Sequence, residues 1–165
     1  MIRNLILAGV SVLGLSTAAF AASDVKVQEV KVEADLSAIQ NPEAAKIFTN
    51  LSEDLRGAIL NRLDPNALVD KDGQKIKIDI DEVELASTWA NLADLSKSQL
   101  TGKVDVRPDD GDALKFDNYV LTVAYPQAKA FLPEGTDVSA LDKDAMVYYH
   151  AMVNAFADYV VTNLK

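Results

Sequence analysis

Cysteine is absent from this chain, histidine and tryptophan occur once each, and basic residues are outnumbered 16 to 25 by acidic ones. Each shortage closes off a chemistry. Without cysteine there is no disulfide framework, no thiolate metal centre and no thiol nucleophile. His150 alone cannot assemble a transition-metal site, and a serine nucleophile using it as base would lack the G-x-S-x-G elbow. It follows two tyrosines beside an apolar helical stripe, where a histidine bonded to a neighbour is the plainer reading. No glycine-rich phosphate loop occurs, and no cofactor is expected. The net charge of −9 repels phosphate backbones and anionic headgroups, which argues against nucleic acid and peripheral membrane binding.

Long apolar runs are scarce too. The longest, from Leu5 to Leu15, falls short of the roughly 20 residues that span a bilayer. Arg3 precedes it and small residues ending Ala19-Phe20-Ala21 follow, the three-part order of a secretory signal with an A-x-A site. Residues 1–21 are therefore read as a signal peptide cleaved after Ala21. Ala22 stands where a bacterial lipoprotein would carry its acylated cysteine, so neither a membrane span nor a lipid anchor is expected. A cysteine-free exported chain points to the periplasm, with secretion to the medium the less favoured destination. Residues 22–165 have the length of one domain and can bury roughly 70% of their unfolded surface.

What is present reads as alternating strands and helices. Residues 25–34, VKVQEVKVEA, alternate apolar and polar, with the phase slipping at Gln28-Glu29. Asn41 and Pro42 open a helix on which Ile47, Phe48, Leu51, Leu55, Ile59 and Leu63 share a stripe, and Pro65 ends it. The turn VDKDGQ, with Gly73 free to take positive φ, leads into a strand over 75–85. Leu100, Gly102, Val104 and Val106 share one face of the next strand, which ends at Pro108. The more apolar YVLTVAY from Tyr119 predicts a strand buried on both faces, inside the sheet. A long irregular connection is expected between Pro126 and Asp142. The chain closes on a helix with Leu141 stapled to Met146, and with Met146, Tyr149, Val153, Phe156, Val160 and Leu164 as its core stripe. The fold class is α+β: a four-stranded, mainly antiparallel sheet with two helices on one face, in the order β-α-β-β-β-α, and the other face wet.

The acidic stretches are the candidates for chemistry. In IKIDIDEVELAS, residues 76–87, Ile76, Ile78 and Ile80 share one face and Lys75, Lys77, Asp79 and Asp81 the other, a mixed-sign row. Asp81 and Glu82 are two outward residues in succession, the mark of a β-bulge, as at Gln28-Glu29. The turns at Asp70 to Gly73 and Asp109 to Asp112 invite a calcium reading, but the first puts Leu68 where a loop needs its first ligand, and the second has no defined pattern. No catalytic, cofactor or metal residue is assigned. The expected function is a non-enzymatic accessory or interaction module of the bacterial envelope, with an envelope protein as partner through a sheet edge or the wet face. Its element order resembles that of small periplasmic α+β accessory modules, a likeness that transfers no residue. The alternative is a binder of an apolar or amphipathic small molecule, in a pocket lined by Trp89, Phe131, Tyr148 and Tyr159. A carboxylate hydrolase using Asp81 and Glu82 stands third.

Overall fold

A computed structural model of the protein describes residues 25–35, 48–80, 99–108, 116–137 and 145–164. The signal segment, the helix start at Asn41-Pro42, Asp81-Glu82, Trp89, the Asp109 to Asp112 turn and Leu141 lie outside the described residues.

Strand β1 (Val27–Ala34) is followed by helix α1 (Leu51–Leu60), a 3-10 turn (Pro65–Ala67), and strands β2 (Gln74–Ile80), β3 (Gln99–Arg107) and β4 (Asp117–Ala124). Helix α2 (Tyr125–Ala128), a second 3-10 turn (Lys129–Phe131) and helix α3 (Ala145–Thr162) complete the order. The strands lie in sequence order, β1-β2-β3-β4, in one sheet. β2 and β4 run antiparallel to β3, but β1 runs parallel to β2. The sheet is therefore mixed. A helix packed on β1 carries the chain back along the sheet, so β2 begins at the end where β1 began, and parallel pairing follows.

The inward row is continuous across the sheet. Val30 pairs with Ile76 and Ile76 with Val106, while Ile78, Val104 and Tyr119 line up beside them. These residues meet Phe48, Leu51, Leu55 and Ile59 of the α1 stripe and Tyr148, Met152, Phe156 and Val160 of α3 in one apolar cluster. Helix α1 lies on β1 and α3 on β3 and β4. The outward row, with Lys77, Asp79, Lys103, Arg107, Asn118 and Thr122, is exposed.

Several expectations are corrected. β4 is not interior. It is the last strand, with Val120 69% exposed and only Val123 fully buried, because its apolar residues alternate with outward positions instead of serving two buried faces. The connection after Pro126 is not wholly irregular, since Pro126 opens α2 and the Ala124 N–H donates to Gln127 Oε1 at 3.2 Å, closing a turn that seats Ala128 in the core. It makes a third helix where two were expected. On α3, Met146 is 43% exposed, whereas Tyr148, Ala151, Met152, Ala155 and Ala157 are buried, so the helix packs on more of its circumference than one stripe.

Polar contacts tie the helices together. The Tyr149 hydroxyl donates to Asp54 Oδ2 at 2.7 Å, linking α3 to the first turn of α1. Arg62, just past α1, donates to the Ala58 carbonyl and to Asn154 Oδ1, each at 3.0 Å, and its guanidinium lies 5.9 Å from the Phe131 ring centre.

Candidate functional site: the outer edge of β1

The bulge read at Gln28-Glu29 is present. Val27 pairs with Gln74 and Glu29 with the next residue, Lys75, so Gln28 is the extra residue and Val27 and Val30 both face inward. The segment before β2 grips this bulge from both sides. The Gln74 N–H donates to the Lys26 carbonyl at 2.7 Å, and the Val69 N–H donates to the Val27 carbonyl at 3.0 Å. Asp72 takes the left-handed conformation, φ 59°, and not Gly73 as expected. Gly73 is needed for space: a Cβ there would lie 2.7 Å from Val69 Cγ2, 2.8 Å from the Gln28 nitrogen and 3.1 Å from the Val27 carbonyl carbon.

These bonds orient the strand. The Lys26 carbonyl points to β2, so the Val27 carbonyl, bonded to Val69, points to the opposite edge. The bulge restarts the alternation, which turns Val30 to that same outer edge. The Arg56 Nε–H of α1 donates to the Val30 carbonyl there at 3.1 Å. By the strand period of two, Val32 presents its N–H and carbonyl to the same side. Among the described residues, β1 has β2 on one side and only the isolated Val27–Leu68 bridge on the other.

A groove of about 370 Å³ runs along this edge, lined by residues 27–32 together with Glu53, Arg56, Leu60 and Leu68. Side chains from both faces of β1 line it, so it follows the strand's margin and does not lie over one face. Toward the helix it is lined by Val30, Val32, Leu60 and a 45% exposed Leu68 together with the charged Glu53 and Arg56, so its lining is more polar than apolar. Its upper rim carries Glu29 and Lys31. Gln28 Oε1, at the bulge end, is buried with no hydrogen-bond partner among the described residues.

The adjoining wet face is electrostatically paired. Glu33 bridges Lys31 at 2.6 Å and Lys77 at 2.8 Å, and these two cations hold its carboxyl down to about 2. Lys77 is raised in turn by Glu33. Asn118 donates to Asp105, Thr101 and Thr122 share a 3.0 Å hydrogen bond, and Arg107 lies 5.4 Å from the Phe116 ring centre. Lys77 thus pairs with Glu33 on β1, and not with the acids of its own strand.

The four residues read as a pocket are placed as follows. Tyr148 is fully buried, its ring 6.0 Å from that of Tyr125, and burial pushes its hydroxyl well above the usual tyrosine range. Phe131 is half-buried in the second 3-10 turn under Arg62, and Tyr159 is 39% exposed on α3. None of these three lines the β1 groove. His150 is exposed and meets its neighbour Tyr149 edge to face, the ring centres 5.2 Å apart. Asp70 and Asp72 are exposed, and no cluster of three metal-ligating side chains occurs among the described residues. No described helix is long and apolar enough to cross a membrane. The groove was missed from sequence because it depends on which strand is outermost, although the bulge beside it was visible as two adjacent polar residues. Comparison with protein-family models, curated proteins and solved structures returned no match.

Proposed function

We propose that this protein is an exported, non-enzymatic interaction module of the bacterial envelope that engages another protein along the outer edge of β1. The observation that carries the reading is the juxtaposition of the outward backbone of Val32, and of Val30 whose carbonyl holds the Arg56 side chain, with a groove lined from both faces of the strand. An edge of this kind is recognised by another extended backbone, because ladder hydrogen bonds supply affinity and the flanking pockets supply selectivity. The net charge of −9 disfavours a polyanionic partner such as nucleic acid, in keeping with a protein partner.

A photo-crosslinking residue at Lys31, on the groove rim, is expected to trap a partner in the native envelope, and the same residue at Lys103, two strands away, is not. Trapping at Lys103 but not at Lys31 would overturn the assignment of the edge. Export is tested separately, by the mass of the mature protein, which should begin at Ala22.

A further inference from the structure

Resting on the reading of β1 as the binding edge, we infer that the partner segment is an extended strand whose residues alternate basic, apolar, acidic, apolar, basic. On the wet side β1 presents Glu29, Lys31 and Glu33 in succession, and on the groove side Val30 and Val32 above Leu60 and Leu68, with Glu53 and Arg56 of α1 beside them as a pair of opposite charges. A strand laid beside β1 puts every second side chain against the first row and the others into the groove. The complement of acid-base-acid is base-acid-base. Because the row reads the same in both directions, this complement holds for a parallel or an antiparallel partner.

The positions differ in how much they contribute. Glu33 is already shared between Lys31 and Lys77, whereas Glu29 has no ion pair among the described residues, so the base opposite Glu29 gains most. The bulge sets the limit of the added strand. Beyond Glu29 the outer edge is occupied at Val27 by Leu68 and Val69, and the buried Gln28 Oε1 at that end offers an acceptor to a partner N–H.

No antiparallel register of two β1 strands gives a second copy of this chain the full charge complement. With antiparallel β1 strands centred on Lys31, Glu29 faces Glu33 of the other copy and Lys31 faces its equivalent. Centred on Val32, Glu29 faces Asp35 while Lys31 faces Glu33, so like and opposite pairs offset one another, and centred on Val30 the overlap ends at the bulge after three residues. Like charges directly opposite each other destabilise a ladder.

The test uses the full mature chain and three peptides: Lys-Val-Glu-Val-Lys, its charge reversal Glu-Val-Lys-Val-Glu, and the first peptide N-methylated at both valines. Binding is read by fluorescence anisotropy and by amide chemical shifts. The first peptide is expected to shift the Val30 and Val32 amides and to bind about tenfold more tightly than the reversal, a preference that fades in 1 M salt. N-methylation is expected to abolish binding. Val32→Pro, which an edge strand tolerates, is expected to do the same with an unchanged far-ultraviolet circular dichroism spectrum. Should that variant unfold, the N-methylated peptide still decides the point. Equal binding of both charge patterns with the β1 amides shifting would overturn the charge complement and leave the edge reading standing. No shift at Val30 or Val32 with any peptide would overturn both.

Discussion

Replacing Gly73 by alanine tests the packing that creates the edge. The glycine's φ lies outside the left-handed region, so alanine suits the backbone there, and loss of unfolded-state entropy alone would stabilise the protein by about 0.4–1 kcal/mol. The new methyl, however, meets Val69 Cγ2 at 2.7 Å, the Gln28 nitrogen at 2.8 Å and the Val27 carbonyl carbon at 3.1 Å. Two of these are backbone atoms of the bulge, pinned by the bonds from Gln74 and Val69, and cannot rotate away as a side chain could. Overpacking of this kind costs about 1–3 kcal/mol, so the clash wins and the net loss is about 1–2 kcal/mol. Gly57→Ala is the internal contrast. It sits in α1 with nothing within 4 Å of the added carbon, and alanine should stabilise the helix by about 0.5–1 kcal/mol. Urea denaturation should move the two midpoints in opposite directions at constant slope. A Gly73→Ala protein as stable as the wild type would refute the claim that the bulge is held rigidly against this turn.

Tyr149→Phe removes the hydroxyl that donates to Asp54 and should cost about 1.5–3 kcal/mol, the range for a hydrogen bond to a charged group. Burial first, and Asp54 second, push the Tyr149 hydroxyl far above its ordinary range, so its contribution is intact below pH 10 and is lost as pH rises beyond that. Tyr119, raised to about 12 by burial and then by Asp117, adds to the same loss between pH 10 and 12. The phenylalanine variant should show a shallower alkaline decline, and an unchanged decline would count against the contact. Glu33 behaves oppositely: its contribution is present above pH 4.5 and is lost as pH falls from there toward 2, so Glu33→Gln should flatten stability across that window in an acid titration followed by circular dichroism.

Much of the fold was legible because side-chain periodicity reports burial directly. The α1 stripe of Phe48, Leu51, Leu55, Ile59 and Leu63 is buried as its spacing required, and Leu100, Gly102, Val104 and Val106 face inward together. The bulge in β1 was legible for the same reason, since two polar residues in succession break a period of two. The edge position of β4 was not, because YVLTVAY has enough apolar residues for either a central or an edge strand. Val120 is exposed because it falls on the outward row opposite Lys103, on the wet face of the sheet. The groove was hidden more deeply still. Its lining comes from β1, α1 and Leu68, which are distant in sequence, and no one segment carries its pattern.

The sequence by itself determined which side of α1, β1, β2 and β3 faces the core, where the first strand bulges, and that cysteine chemistry is absent. Tertiary structure alone decided that β1 lies parallel to β2 at the margin of the sheet, that Gly73 serves close approach while Asp72 takes the left-handed turn, and that Arg56 reaches the Val30 carbonyl. The physical reason is that periodicity encodes a residue's distance from water, whereas pairing, direction and edges depend on which other segment occupies the adjoining space.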